Sequence, residues 1–64
     1  MVKISLAAAR KNANLNQKEA ARKLGISNAT LCNWEKGVSF PDAQQIEEIC
    51  ALYGMEYNCI NFLP

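Results

Sequence analysis

The stretch Asn16-Gln17-Lys18-Glu19-Ala20-Ala21-Arg22-Lys23-Leu24-Gly25-Ile26-Ser27 decides the fold of this 64-residue chain. Asn16 is a favourable N-cap residue, and Glu19 stands three positions later, at the spacing of a capping box. The pattern predicts a helix over residues 17–24. Gly25 then favours a sharp helix end, because glycine adopts the left-handed conformation without a Cβ penalty.

A further helix follows after a very short turn. Ser27 is a favourable N-cap, and Ile26 before it is placed to pack against Leu31 as a hydrophobic staple. The next helix is therefore predicted over residues 28–36, before Gly37. By helical spacing, Leu31, Trp34 and Glu35 face inward. The outward positions are Ala29, Cys32, Asn33 and Lys36, with Asn28 at the leading end.

The remaining segments also have helical patterns. A first helix has an inward stripe that includes a cation, namely Leu6, Ala9, Arg10 and Ala13. Asp42 and Gln45 form a second capping pattern, and the helix after them has the inward stripe Ile46, Ile49, Cys50 and Tyr53. A short fifth helix is predicted over about residues 58–62. We therefore expect an all-α, five-helix fold, with residues 1–64 as one domain.

Charge is distributed unevenly along the chain. All seven lysines and arginines lie within residues 3–36, together with two acids, Glu19 and Glu35. Residues 37–64 hold four acids and no base. This asymmetry favours a protein with one basic surface that binds an anionic polymer and an acidic surface that faces away from the polymer. Charges also cluster on ordinary solvated helix surfaces, which is the alternative interpretation.

Composition excludes several other classes. The chain has three cysteines and no histidine, so neither a zinc site nor an even-numbered disulfide framework is indicated, and no cofactor is expected. No apolar run is long enough to span a bilayer, and the first nine residues lack a secretory signal. We expect a cytoplasmic protein, associated with the nucleoid if it binds DNA. An enzyme is not indicated, because carboxylate pairs in a pocket and glycine-rich phosphate loops are lacking.

The run over residues 16–27, continued through Leu31, Trp34, Glu35, Gly37, Pro41 and Ile46, closely resembles the lambdoid phage repressor and Cro family of XRE-like regulators. The resemblance covers about residues 4–63. It implies a compact helix-turn-helix domain that binds double-stranded operator DNA, with one helix across the backbone and the next in the major groove. It also implies a two-fold homodimer through the C-terminal region, where Tyr57, Phe62 and Leu63 lie.

The resemblance and the side-chain chemistry agree on the candidate DNA contacts. The positions of Asn28, Ala29 and Asn33 face base edges in the family. An asparagine amide suits adenine and the alanine methyl suits thymine, so an A·T-leaning site is expected, although each asparagine alone is also consistent with a solvated surface amide. The resemblance assigns Gln17 a phosphate contact. It also implies that Gln17 braces the helix predicted over residues 28–36, the one that enters the major groove. The expected phosphate contacts are Gln17, Lys18, Arg22 and Lys36.

Arg10 and Glu35 match a buried ion pair of the family, and both fall on inward stripes, so we expect them to form a structural pair. The outward position of Cys32 leaves two interpretations, a redox-sensing thiol or an ordinary surface cysteine. The second is favoured, because no neighbouring base beyond Lys36 would make the thiol reactive. Cys50 is expected in the core, and Cys59 is undecided. The C-terminal apolar residues, including Ile60, suit a mixture of core and dimer surface.

The main alternative is a protein-interaction module, such as an antitoxin-like or accessory regulator with weak DNA binding. The acidic half of the chain supports this alternative. Separately, the loop after Gly37 reads Val38-Ser39-Phe40-Pro41, where some members of the resembled family carry lysines and arginines, so a high affinity for DNA is not indicated. Salt dependence separates the two hypotheses, because DNA binding releases counterions from phosphate and weakens steeply with added salt.

Overall fold

The computed structural model describes residues 3–62. Four helices form most of it: α1 (Leu6–Asn12), α2 (Gln17–Leu24), α3 (Asn28–Lys36) and α4 (Ala43–Tyr53). Two short strands, β1 (Ile4–Ser5) and β2 (Ile60–Asn61), flank them, and a 3₁₀ helix (Tyr57–Cys59) precedes β2. The predicted bounds of α2 and α3 are confirmed residue for residue.

Side-chain caps begin α2, α3 and α4 where the sequence indicates. Asn16 and Glu19 form a complete capping box on α2, and Asp42 and Gln45 form one on α4. Ser27 accepts a hydrogen bond from the third residue of α3. Because such caps satisfy N–H groups that have no partner inside the helix, they fix the first residue of each helix locally.

The core lies where the four helices and β2 meet. Its members are apolar side chains and one tyrosine: Leu6, Ala9, Ala20, Ala21, Leu31, Trp34, Ile49, Tyr53 and Ile60. Two of the three alanines, Ala20 and Ala21, lie on α2, which packs against α3 and α4. In α4 the predicted stripe is only partly right, since Ile49 and Tyr53 are buried whereas Ile46 and Cys50 are half-buried.

The predicted fifth helix is wrong in the segment after α4. Residues 57–59 form a single 3₁₀ turn, and Ile60 then pairs in parallel with Ile4 and Asn61 with Ser5. Tyrosine, asparagine, cysteine and isoleucine are poor helix formers, and so short a helix is marginal in isolation. The extended conformation lets the Ile60 side chain fill the core while its backbone joins a strand pair. The described fold is therefore mostly helical, with a two-stranded parallel sheet that the all-α expectation did not include.

Candidate nucleic-acid interface

The turn between α2 and α3 is held by backbone hydrogen bonds. Gly25 has φ of 72°, in the left-handed region. Its N–H donates to the Arg22 carbonyl at 3.2 Å, and the Ile26 N–H donates to the Ala21 carbonyl at 3.0 Å. These two bonds are those of a Schellman motif, which closes a helix C-terminus and reverses the chain. The turn between α2 and α3 is thus rigidly defined by its backbone.

The leading end of α3 carries a pair of hydroxyls that sequence reasoning missed. The Ser27 Oγ accepts from the Thr30 N–H at 3.0 Å and lies 2.8 Å from the Thr30 Oγ1. Serine and threonine three residues apart at a helix start are the signal that could have shown this pair. The two hydroxyls hold the first turn of α3, from which Asn28 projects into solvent.

One side of α3 is anchored and the other is open. Leu31 and Trp34 are buried in the core. Asn28, Ala29 and Asn33 are exposed, and we call these three side chains the reading face. Lys36 is exposed near the end of the same helix. Cys32, which was predicted to face outward, is only partly exposed.

Beneath α3, the Glu35 carboxylate joins three helices. The Arg10 Nε of α1 donates to Glu35 Oε2 at 2.8 Å, and Arg10 Nη2 donates to Glu35 Oε1 at 3.5 Å. Gln17, the first residue of α2, donates from Nε2 to Glu35 Oε1 at 3.1 Å. We call these three side chains the Glu35 cluster. Because the Glu35 cluster links α1, α2 and α3, it fixes the orientation of α3 relative to the other two helices.

The ion pair in this cluster is largely withdrawn from solvent. The side chains of Arg10 and Glu35 are 11% and 9% exposed. Arg10 also donates from Nη1 to the Leu15 carbonyl at 2.9 Å, in the loop before α2. Burial of an ion pair is tolerated only when further hydrogen bonds satisfy its polar atoms, and the contacts to Leu15 and Gln17 supply them.

Tyr53 of α4 lies in the same core cluster as Ala9 and Trp34, the sequence neighbours of Arg10 and Glu35, and was predicted from the sequence only as a core residue. Its side chain is 6% exposed, and its hydroxyl has no hydrogen-bond partner within residues 3–62. The pKa of Tyr53 is raised to about 12, chiefly by burial; the Glu35 carboxylate also raises this pKa and the Arg10 guanidinium lowers it. The hydroxyl is therefore within electrostatic range of both members of the ion pair.

The residues predicted to contact phosphate lie on α2 and α3. Lys18 and Arg22 are exposed on α2, as is Lys36 on α3. Gln17 differs from them, because it is half-buried and its amide is engaged with Glu35. The hydrogen bond from Gln17 to Glu35 on α3 agrees with the expected role of Gln17 in bracing α3. A phosphate contact would instead require the Gln17 side chain to turn outward.

The C-terminal apolar residues divide between core and surface. Ile60 is buried, whereas Tyr57 is 57% exposed. The Tyr57 ring stacks on the Phe62 ring, with centroids 5.7 Å apart and planes inclined by 16°. Leu63, which was assigned to the same surface, lies outside the described residues. Cys59 is half-buried.

Two capped helices joined by a glycine turn, with the second helix offering a polar open face, define a helix-turn-helix domain. The helix-turn-helix family model matches residues 6–57. The chain belongs to this family, that of the XRE-like helix-turn-helix regulators, whose domain is a DNA-binding transcription-regulator domain. No curated protein and no solved structure matches the chain.

Two other kinds of feature concern residues 3–62, namely helices that could cross a membrane and groups of side chains that could hold a metal ion. None of the described helices is long and apolar enough to cross a membrane. The same residues contain no group of three or more histidine, cysteine, aspartate or glutamate side chains that could hold a metal ion.

Proposed function

We propose that this chain is a sequence-specific double-stranded DNA-binding protein, a repressor- or Cro-like regulator of the phage and bacterial type. Its single domain places α3 in the major groove. The observation that supports this most directly is the two-sidedness of α3: Leu31 and Trp34 fix it in the core, while Asn28 and Asn33 remain exposed. An α-helix presented in this way fits the width of the major groove.

The reading face has the chemistry to distinguish base pairs. An asparagine amide offers one donor and one acceptor, which match N7 and the N6 amino group of adenine. Ala29 offers a methyl group to the C5-methyl of thymine. We therefore assign base contacts to Asn28, Ala29 and Asn33, and expect an operator that leans towards A·T pairs.

Backbone contacts position the domain on DNA without reading sequence. We assign them to Lys18, Arg22 and Lys36, whose side chains are exposed, and to Gln17 at the start of α2. The acids of residues 37–64 then belong to surfaces turned away from the phosphates, which orients the domain during encounter.

We further propose a two-fold dimer through the C-terminal region. The exposed Tyr57 ring, backed by Phe62, offers an apolar surface that a second copy would cover. A two-fold protein dimer imposes a two-fold operator, because each copy reads one half-site.

Selection of bound sequences from a random DNA pool tests the proposal, followed by titration of Asn33→Ala on the selected site and on unrelated DNA. We expect a loss of about 1–3 kcal/mol on the selected site and nearly unchanged nonspecific binding, because a base-edge amide carries sequence information. Asn12→Ala, which removes an exposed amide at the end of α1, is the matched control and should change neither. Equal losses of affinity for both DNAs would show that Asn33 does not contact a base.

A protein-interaction module remains the second candidate because of one observation. Val38 and Phe40, in the loop directly after α3, are 70% and 54% exposed. Apolar side chains this exposed suit a protein surface better than a phosphate backbone. A partner complex whose affinity hardly changes with salt, together with the absence of any selected DNA sequence, would favour this candidate over operator binding.

A further inference from the structure

We propose that the loop after α3 and the open side of α4 form a docking surface for a basic, amphipathic helix of a partner protein. The surface consists of Val38 and Phe40 in the loop together with Ala43, Glu47 and Glu48 on α4, and we call it the loop–α4 surface. Partner binding here accompanies DNA reading and does not replace it. The inference goes beyond the proposed function and does not depend on it.

The apolar part of the loop–α4 surface lies in the loop. Val38 is 70% exposed and Phe40 is 54% exposed, and together they are two of the three large hydrophobic side chains exposed within residues 3–62. Single exposed apolar residues are common on protein surfaces, whereas neighbouring ones more often mark an interaction site. Covering both side chains with a partner removes apolar area from water and favours association.

The loop that carries these two side chains is fixed at both ends. At its start, the Val38 N–H donates to the Asn33 carbonyl of α3 at 2.9 Å. At its end, Pro41 is buried and Asp42 forms the capping box that begins α4. Because this backbone is already ordered, a partner meets Val38 and Phe40 without a large cost in conformational entropy.

The open side of α4 supplies the charge of the loop–α4 surface. Ala43, Gln44, Glu47 and Glu48 are all exposed, at positions that share one side of a helix. The carboxylates of Glu47 and Glu48 have no ion-pair or hydrogen-bond partner within residues 3–62. Residues 37–64 contain no lysine or arginine. These two carboxylates are therefore available to cations of a partner.

Charge complementarity selects the occupant of this surface. Glu47 and Glu48 repel an acidic segment and repel nucleic acid for the same reason, so the partner is a basic protein segment. Lys36 is exposed at the end of α3, just before the loop, and disfavours a cation on that side. The partner's apolar side chains consequently cover the loop, and its cations lie over α4. A basic amphipathic helix combines these two kinds of side chain.

Selection from a pool of random peptides of about 16 residues, with the full chain as bait, tests the inference. Peptides of this length span about 24 Å when helical, enough to cover α4 and the loop. We expect enrichment of sequences that combine lysine or arginine with apolar residues at helical spacing. Phe40→Ser should weaken binding of the selected peptide by at least about tenfold. Glu47→Lys with Glu48→Lys should weaken it about three- to thirtyfold.

Glu56→Lys is the matched control, because it reverses the charge of an exposed acid outside the loop–α4 surface and should leave the affinity nearly unchanged. Thermal unfolding of each variant verifies that it is folded. If Phe40→Ser unfolds the chain, Val38→Ser replaces it, since Val38 is the more exposed of the two.

Three results would overturn the inference. The first is a selection that enriches no peptide or enriches acidic ones. The second is a selected peptide that binds the folded Phe40 or Val38 variant as tightly as the wild type. The third is an equal loss of affinity in Glu56→Lys and in the Glu47 and Glu48 double variant, because the peptide would then respond only to the overall charge of residues 37–64.

Discussion

Removing one member of the Arg10–Glu35 pair should destabilise the fold far more than removing both. The Nε–Oε2 distance is 2.8 Å, and the two side chains are 11% and 9% exposed, so either charge left alone stays largely out of water. We expect Arg10→Met or Glu35→Gln to cost on the order of 3–5 kcal/mol, the range for breaking a buried pair. A chain of 64 residues has a typical total stability of about 3–10 kcal/mol, so the single variants should be mostly unfolded at 37 °C.

The combined variant, Arg10→Met with Glu35→Gln, should lose much less, because no buried charge remains. Urea unfolding of the wild type, the single variants and the double variant gives the interaction energy directly, and an osmolyte such as trimethylamine N-oxide keeps the weaker variants folded enough to measure. Arg22→Met removes an exposed arginine and is the control for loss of charge alone. If both single variants remained stable and their effects added, the pair would not be coupled, and the argument from its burial would be wrong.

Three further predictions follow from the same structure. Lys18→Ala should weaken specific and nonspecific DNA binding alike and reduce the salt slope by about one unit, while Lys11→Ala on α1 leaves the slope unchanged; an unaltered slope in Lys18→Ala would place Lys18 away from phosphate. The pKa of Tyr53 in the folded state is raised to about 12, so the fold favours the neutral phenol. The contribution of this preference to the free energy of unfolding is fully present below about pH 10 and is lost as the pH rises through 12. Tyr53→Phe should therefore remove about 2–3 kcal/mol of alkaline destabilisation in urea titrations, and an unchanged loss would exclude Tyr53 as its source. Footprinting should show two half-sites with centres about 34 Å apart, whereas one half-site bound at full affinity would exclude the dimer.

The starts and ends of α2 and α3 could be predicted because their determinants are local. Asn16 and Glu19 act on backbone groups within one turn, and Gly25 needs no distant partner to adopt its positive φ. Asn14 shows the limit of this kind of reasoning. It ends α1 in the left-handed conformation, with φ of 60°, in the role that glycine fills elsewhere. Asparagine is the other residue that tolerates this conformation, so the signal was present but weaker.

The C-terminal segment could not be predicted because its conformation depends on a partner almost the whole chain away. The local sequence pattern around Ile60 is equally compatible with the apolar stripe of a helix and with a strand. Only pairing with Ile4 selects the strand, and no local pattern connects the two positions. The polar contacts of Gln17 and the isolation of the Tyr53 hydroxyl are non-local in the same way, because each depends on how α2 and α4 pack against α3.

The anchoring of α3 explains why stability and DNA reading should be difficult to separate in this domain. Only two of its side chains, Leu31 and Trp34, are fully inside the core, so apolar packing alone leaves rotation about the helix axis weakly determined. Glu35 supplies the missing constraint, because the Arg10 guanidinium grips its carboxylate from α1 at a defined angle. Rotating α3 enough to displace Asn33 from its proposed base contact would also break this contact between Arg10 and Glu35. A substitution in the Glu35 cluster should therefore alter both operator preference and unfolding, whereas a substitution at Asn33 should alter the operator preference alone.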